Sequence, residues 1–291
     1  MNAMHTPVVS IATSAMLVDV VISCWSAKKL ARKESEELTN AKSASKRAAK
    51  VQKNLLADDP RLEGINKCAA DLRNWLARVT LPWSDSGLRL VTTAQFLSFR
   101  AELETRKQEF ERLVHDFVQM YPTLISAQAF KLGSMFDRSE YPSDVEVASK
   151  FSIRFSFWPV PESGDFRVDI AQDIAAQLRE EYESEYQQRV ESVRRETWDR
   201  LYKVLSKMSE RLGMDDAGKN KVFRDTLVEN ALEVCDLLKL LNVTNDATLD
   251  TARREVESLL LGVTADELRK NNNIRADVKA QVDSILDKFA F

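Results

Sequence analysis

Glycine and proline are scarce in this 291-residue chain, with seven of each. Many-stranded β folds need frequent turns built from these residues, so their scarcity argues against that class. Neither residue occurs between Gly164 and Gly213, which predicts one long helix over about residues 169–212. At about 1.5 Å of rise per residue, this helix spans about 60–65 Å, more than the diameter of a small domain. We therefore expect part of it to project or to pair with another long helix, as in a coiled coil.

Cysteine and histidine are also rare. The three cysteines, Cys24, Cys68 and Cys235, are scattered and lie in apolar or helical contexts, which predicts buried free thiols. The two histidines, His5 and His115, are too distant in sequence for a multi-histidine metal site. No Ser/His/Asp or Cys/His arrangement supports nucleophilic catalysis. These absences predict a protein without catalytic residues, metal or cofactor.

Excess charge of one sign and long apolar runs are missing as well. The formal net charge of −3 gives no overall attraction to nucleic acid or anionic lipid. No run approaches the ~20 apolar residues of a membrane span. No Lys or Arg precedes the apolar N-terminal stretch and Asp19 interrupts it, which predicts a buried strand rather than a signal sequence. We expect a soluble, cytoplasmic protein.

Two segments have the composition of strands. Leu17–Trp25 is rich in Val and Ile. In the second segment, Phe151, Ile153, Phe155 and Phe157 alternate with polar residues. We expect the two strands to pair in a small antiparallel sheet, with these four apolar side chains on one buried face.

The remaining patterns are helical, so the predicted class is mainly α with a small antiparallel β element, an α+β fold. We expect a long helical hairpin in which Thr93–Tyr121 packs against part of the helix over 169–212. The predicted division is 1–92 for the N-terminal strand and helices, 93–212 for the hairpin with its inserted strand, and 213–291 for a C-terminal helical region.

Local signals predict where helices begin and end. Thr92 heads a capping-box pattern at the start of the hairpin, and Pro122 is expected to end that first helix. Near the C-terminus, Thr244 or Asn245 is expected to cap one helix, and Thr264–Glu267 to open another.

A lysine-rich segment over residues 26–53 holds nine basic residues against three acidic ones. Its alanine content and its lack of glycine and proline predict helix. Clustered Lys and Arg are typical of phosphate binding, but the segment has no interleaved aromatics for base stacking. A charged, solvated helix explains the run equally well. If it binds nucleic acid, the candidate residues are Lys42, Lys46, Arg47, Lys50 and Lys53.

One stretch nearly matches a phosphate-binding loop. Residues 213–220 read GMDDAGKN, but Asn220 stands where the motif needs Ser or Thr to ligate magnesium. A helix rather than a strand precedes it, and its two aspartates would repel phosphate. We interpret it as a turn between helices, with Gly213 as the C-terminal cap.

Candidates for contact with a protein partner come from two other places. One is the loop segment TLPWSDSGLRL, and the other is the polar centre of the long helix. The candidate residues are Trp83, Asp85, Arg89, Tyr182 and Tyr186.

Several segments together resemble an uncharacterised family of phage and mobile-element proteins, domain of unknown function 3150. In chain order they are VDVVISCWSAKK, TLPWSDSGLRL, the phenylalanine-rich helix, FSFWPVPESGDFR and ARREVESLLLGVTADELRKNNNIRADV. The resemblance covers nearly the whole chain and implies a phage or plasmid origin. Because members are typically encoded near an AAA+ ATPase similar to the small cobalt-chelatase subunit, and near a von Willebrand A-type protein, it implies these two as partners. It carries over no catalytic residues.

We therefore expect a non-enzymatic interaction or assembly protein, acting as an adaptor or structural component of an ATPase-centred complex. We also expect it to form homo-oligomers in the cytoplasm of a bacterial host. The alternative is a nucleic-acid-binding accessory protein that uses residues 26–53.

Overall fold

A computed structural model describes residues 11–161 and 172–289, and for residues 172–175 it describes the backbone alone. The chain is mostly helical with a small antiparallel sheet, which confirms the predicted α+β class. His5 and the first residues of the predicted long helix, 169–171, lie outside the described residues. No helix in the described ranges is long and apolar enough to cross a membrane.

The strands are β1 (Ala15–Ser23), β2 (Lys28–Ala31), β3 (Val51–Asn54), β4 (Leu81–Pro82), β5 (Arg89–Thr92) and β6 (Ser152–Pro159). The helices are α1 (Arg32–Ala41), α2 (Pro60–Val79), α3 (Phe96–Leu132), α4 (Asp144–Ser149), α5 (Gln172–Leu212), α6 (Leu227–Leu241), α7 (Ala247–Leu260), α8 (Ala265–Lys270) and α9 (Asn272–Lys288).

Four strands form one sheet in the order β4-β5-β1-β6, and β2 pairs with β3 in a second, two-stranded sheet. The two strands expected to pair, over 17–25 and 151–157, are thus neighbours as β1 and β6. The predicted alternation holds at the start of β6. Phe151, just before the strand, and Ile153 are buried, whereas Arg154 is exposed. Phe155 and Phe157 are half-buried, so the expected fully buried face is limited to the first part of the strand.

Contacts divide the chain into two compact units. Unit 1 comprises Met1–Asp19, Ala77–Phe99 and Ser156–Phe291, and unit 2 comprises Val20–Leu76 and Arg100–Phe155. The division differs from the three consecutive segments expected from the sequence, because β1, α2, α3 and β6 each contribute residues to both units.

The core of unit 1 is organised around α5. We expected this helix to pair with the helix that begins near Thr93, but its main packing is against α6 and α9, from the region expected to be separate. Leu201, Leu205 and Met208 of α5 are almost fully buried in a cluster with side chains of α6, α7, α8 and α9. The last three turns of α5 therefore lie inside a helical bundle.

Arginine side chains satisfy carbonyl groups at helix ends in unit 1, and Arg200 and Arg275 each donate to at least three of them. The last four carbonyls of a helix have no partner within the helix, and leaving them buried and unpaired is costly. Arg200 of α5 donates to three carbonyls at the end of α2, at 2.6–2.9 Å, and Arg275 of α9 donates to four around the end of α5, at 2.8–3.3 Å. The acceptors are Ala77, Arg78 and Thr80 for Arg200, and Arg211, Leu212, Gly213 and Lys221 for Arg275.

The core of unit 2 contains a cluster of aromatic rings. The ring of Phe151 lies 6.5 Å from that of Phe110 and 5.8 Å from that of Phe117, and all three residues are buried. Arg106 is a charged residue on the otherwise apolar face of α3. Its guanidinium is stabilised there by the Trp75 ring, whose centroid lies 4.9 Å away.

The basic segment over residues 26–53 is not one helix, so that prediction is wrong. It forms β2, α1 and β3, and only α1 is helical. The buried Ser35 hydroxyl of α1 accepts a hydrogen bond from the backbone N–H of Val51 at 2.9 Å and so ties the helix to β3. Leu55 and Leu56, each 2% exposed, then follow β3 into the core. Burial of these leucines outweighs the helix propensity of Ala and Lys.

The end predicted for the first hairpin helix is wrong, and so is the predicted capping box at its start. Pro122 lies inside α3, which runs on to Leu132. An internal proline costs ~3 kcal/mol, and the burial of Tyr121 just before it, with Leu124 and Ile125 just after it, offsets this cost. Thr92 makes no side-chain capping bond, and a 3-10 turn over 93–95 precedes α3.

Near the C-terminus, Thr264 is the N-cap residue of α8 as expected, and it forms a complete capping box with Glu267. The residue that caps α7 is Asp246 rather than Thr244 or Asn245, because its carboxylate accepts from the first free amides of the helix. Asn245 instead adopts a left-handed conformation, with φ of 51°.

Replacing Phe151 by Ala should sharply lower the melting temperature, because it removes a ring packed between Phe110 and Phe117. Truncating a buried Phe usually costs ~3–5 kcal/mol. Thermal unfolding followed by circular dichroism measures the effect, with the exposed Arg154→Ala as the neighbouring control. A Phe151→Ala protein that melts like the control would contradict this description of the core.

Candidate functional site

A well-formed cavity lies in unit 1, between α5, α7 and α9, and has a volume of about 570 Å³. Its floor is apolar and includes Leu201, Leu205 and Ile285. Three aromatic side chains, Trp198, Tyr202 and Phe289, line it as well. We call this cavity the aromatic groove; its charged rim consists of Glu191, Arg194, Arg195 and Asp199.

Trp198 is held in place by the capping residue of α7. Its indole Nε1 donates to Asp246 Oδ2 at 2.9 Å, and the other carboxylate oxygen of Asp246 accepts from the amides of Thr248 and Leu249. The ring of Phe289 lies 5.8 Å from the ring of Trp198. The start of α7 therefore fixes the position of the main aromatic side chain of the groove.

The rim charges differ in how they are paired. Arg194 forms two hydrogen bonds with Glu191, at 2.8 and 2.9 Å, and its guanidinium lies 3.5 Å from Asp246. Asp199 lies 3.9 Å from Lys203, both well exposed. Arg195 is exposed, and its side chain has no hydrogen-bond or ion-pair partner among the described residues. Arg195 is therefore the rim cation most available to a ligand.

Burial of the Asp246 carboxyl favours its neutral form, but hydrogen bonds from Trp198, Leu249 and Thr248, together with Arg194, outweigh burial. The pKa of Asp246 is therefore lower than usual in the folded protein.

Two of the five residues expected to contact a partner belong to the core, so the prediction is wrong for them. Trp83 and Tyr186 are each 5% exposed and pack edge to face at 6.0 Å. The Tyr186 hydroxyl also accepts a hydrogen bond from the backbone N–H of Ile11. The polar centre of the long helix thus contains a buried tyrosine that anchors it to the sheet.

The other three candidates differ in exposure. Arg89 is partly buried and donates to the Thr80 hydroxyl at 2.5 Å and to the carbonyls of Thr80 and Ala77, which makes it a structural residue at the end of α2. Asp85 is exposed in its turn, and Tyr182 is half-buried. The structure thus places none of the five candidates in the aromatic groove.

The candidate nucleic-acid residues separate into two groups. Lys42, Lys46, Arg47 and Lys50 are exposed between α1 and β3, in a segment over 42–50 that we call the basic loop. Among the described residues, the one ion pair of these four is Lys46 with Glu36, at 3.7 Å.

Lys53, the fifth candidate, was expected to be exposed like the other four basic residues, and this prediction is wrong. It is 7% exposed, donates to the carbonyl of Met135 at 2.6 Å and forms an ion pair with Glu140. Lys53 therefore stabilises unit 2.

The stretch that nearly matches a phosphate-binding loop is a tight turn. The Asp215 carboxylate accepts from the amides of Ala217 and Lys219, at 3.0 and 2.8 Å. Amides of this kind would cradle a phosphate in a true phosphate-binding loop, and here the chain's own carboxylate occupies them.

Within residues 11–161 and 172–289, no group of three His, Cys, Asp or Glu side chains is placed to hold a metal ion. The three cysteines are free thiols, with Cys235 buried and Cys24 and Cys68 half-buried. Burial raises the pKa of Cys235 to about 12, which makes it a poor nucleophile.

The main residues of the aromatic groove are not among the candidates predicted from the sequence. Trp198 and Tyr202 are four residues apart on a predicted helix, and Arg194 and Arg195 lie within the turn that precedes Trp198. An aromatic pair at this spacing shares one helix face, so the signal was present. What the sequence did not show was that α7 and α9 complete the groove.

No protein-family model, no curated protein and no solved structure matches this chain.

Trp198→Phe keeps an aromatic ring at this position, although a smaller one, and removes the indole N–H that donates to the Asp246 carboxylate. The folded-state pKa of Asp246 should rise, and the protein should lose about 1.5–3 kcal/mol of stability at pH 7. A carboxyl group whose pKa is lowered by folding stabilises the folded protein when the pH is above its unfolded pKa of about 4. The difference in stability between wild type and variant should therefore shrink as the pH falls through the folded-state pKa of Asp246. Urea unfolding at pH 7 and pH 3 measures it.

The control is Trp158→Phe, which removes the bond of a 55% exposed indole to a serine hydroxyl. It should cost little at either pH. An equal loss at pH 7 and pH 3 for Trp198→Phe would show that Asp246 is not the acceptor.

Proposed function

We propose that this chain is a non-enzymatic interaction protein that binds a segment of a protein partner in the aromatic groove. The groove carries the proposal, because it combines an apolar floor, to which the buried Trp198 belongs, with the exposed ring of Tyr202 and one unpaired cation at its rim. Tyr and Arg are among the residues that dominate the binding energy of protein interfaces. The segment that fits inserts an aliphatic or aromatic side chain and places a carboxylate near Arg195.

The resemblance to domain of unknown function 3150 adds an AAA+ ATPase and a von Willebrand A-type protein of phage or plasmid origin as candidate partners. The bacterial host cytoplasm is the matching location. Self-association of the chain remains a prediction from the length of α5.

Tyr202→Ala combined with Arg195→Gln should abolish or strongly weaken partner binding without unfolding the protein, because both side chains are exposed. Affinity purification of the tagged wild-type protein from host cells, followed by mass spectrometry, identifies the partner. Titration calorimetry with the purified partner should then show a loss of about tenfold or more for the double variant. The control is Phe130→Ala with Arg224→Gln, which removes a 92% exposed ring and an exposed cation elsewhere. A partner that binds both double variants equally would exclude the aromatic groove.

A second candidate function is nucleic-acid binding through the basic loop. The observation that favours it is four exposed cations within nine residues, of which Lys46 alone has an ion-pair partner among the described residues. Exposed, unpaired cations can release counterions from phosphates when they bind.

Changing Lys42, Lys46, Arg47 and Lys50 to Gln should leave stability unchanged, and Lys53 must be kept because it is buried. If the loop binds nucleic acid, affinity for single-stranded DNA should fall and the salt slope should flatten by ~0.7 for each phosphate that is no longer neutralised. Fluorescence anisotropy at several salt concentrations measures both. Unchanged affinity and slope would remove this candidate function.

A further inference from the structure

A second groove lies on the opposite face of α5 within unit 1. Two residues of helix correspond to about 200° of rotation, so Arg200 faces away from both Trp198 and Tyr202. The groove is shallow and open to solvent, with a volume of about 420 Å³. We call it the basic groove; it is lined by apolar Ala77, Val204, Val234 and Leu237 and by charged Arg78, Glu196, Arg200, Lys203 and Lys207.

The charges in the basic groove do not cancel. Arg200 donates hydrogen bonds to carbonyls at the end of α2 and, at 3.0 Å, to the Glu196 carboxylate, so it is already paired. Lys203 is 72% exposed and lies 3.9 Å from Asp199, a weak surface pair. Arg78 and Lys207 are exposed, and neither side chain has a partner among the described residues. Two free cations and one weakly paired cation therefore surround the apolar floor.

The floor selects against a purely ionic ligand. Val204, Val234 and Leu237 are half-buried, so a ligand that covers them gains by removing apolar surface from water. No aromatic ring from the described part of the chain lines this groove, so its described lining offers no stacking platform for nucleic-acid bases. The ligand that matches both features carries apolar and acidic groups side by side.

We propose that the basic groove binds an acidic amphipathic helix of a partner protein. Its apolar face lies on Val204, Val234 and Leu237, and its Asp and Glu residues flank this face and pair with Arg78, Lys203 and Lys207. Helices of this kind dock in grooves through apolar side chains at three- and four-residue spacing, and complementary charge fixes their orientation. The inference extends the proposed function to a second surface and stands separately from the aromatic groove.

The test uses the full-length chain and a fluorescein-labelled peptide of about 16 residues, with Leu at three- and four-residue spacing and Glu between. A matched peptide carries Gln in place of Glu. Fluorescence anisotropy should show saturable binding of the Glu peptide, at least about tenfold tighter than the Gln peptide at ~0.15 M salt and weaker at higher salt. Absence of binding, or equal binding of the two peptides, would overturn the proposal.

Arg78→Gln with Lys207→Gln should weaken the Glu peptide about fivefold or more, since each ion pair removed contributes up to ~1 kcal/mol. Arg200 is left intact because it satisfies the end of α2. The control, Lys67→Gln with Arg224→Gln, removes two exposed and unpaired cations and makes the same change in net charge. It should leave affinity within about twofold.

Three further comparisons separate the alternatives. Val204→Thr keeps the shape of the floor but adds a hydroxyl, and it should weaken both peptides. Tyr202 lies in the aromatic groove, so Tyr202→Ala should leave peptide binding to the basic groove unchanged. The proposals for the two grooves can therefore fail independently. Equal weakening by the control double variant, or competition by an oligothymidine of the same charge as effective as unlabelled peptide, would show a general polyanion surface and overturn the inference.

Discussion

The pairing of arginine side chains with helix-end carbonyls is the interaction on which unit 1 depends. Arg200 reaches from α5 to the end of α2, and Arg275 reaches from α9 to the end of α5. Each guanidinium has five donors in a fixed plane, so one side chain can satisfy several carbonyls that converge on it. Because the two arginines join different helices, they fix the orientation of α5 as well as capping helix ends. Both grooves are formed by the part of α5 that this arrangement holds.

The two faces of α5 differ in chemistry although they share one rigid support. On one face the rings of Trp198 and Tyr202 lie beside charges that are mostly paired with one another. On the other face the floor is aliphatic, and the cations Arg78 and Lys207 are unpaired among the described residues. A helix held at its end and along its length presents both surfaces with little loss of conformational entropy on binding, which favours affinity. Both proposed binding surfaces therefore depend on the same rigid helix.

Sequence patterns predicted the elements whose signal is local. The alternation at Phe151 and Ile153 identified β6, and the sequence from Thr264 to Glu267 identified a capped helix, because both signals depend on residues that are neighbours in the chain. Where distant contacts decide the outcome, the predictions were wrong. The 26–53 segment has the composition of a helix but pairs as β2 and β3, and Pro122 lies inside a helix that buried neighbours on both sides sustain.

For the candidate sites, the sequence by itself determined the chemical groups available: a long helix without Gly or Pro, an aromatic pair on it, and lysine-rich segments. It also predicted that the few His and Cys residues form no metal-binding or catalytic cluster. Only the tertiary structure decided which of these groups are free to bind. Four residues that were predicted to bind a partner or nucleic acid instead make contacts within the protein: Trp83, Tyr186, Arg89 and Lys53. Whether a polar or aromatic side chain is available depends on which residues fold against it, and residues distant in the chain set that environment.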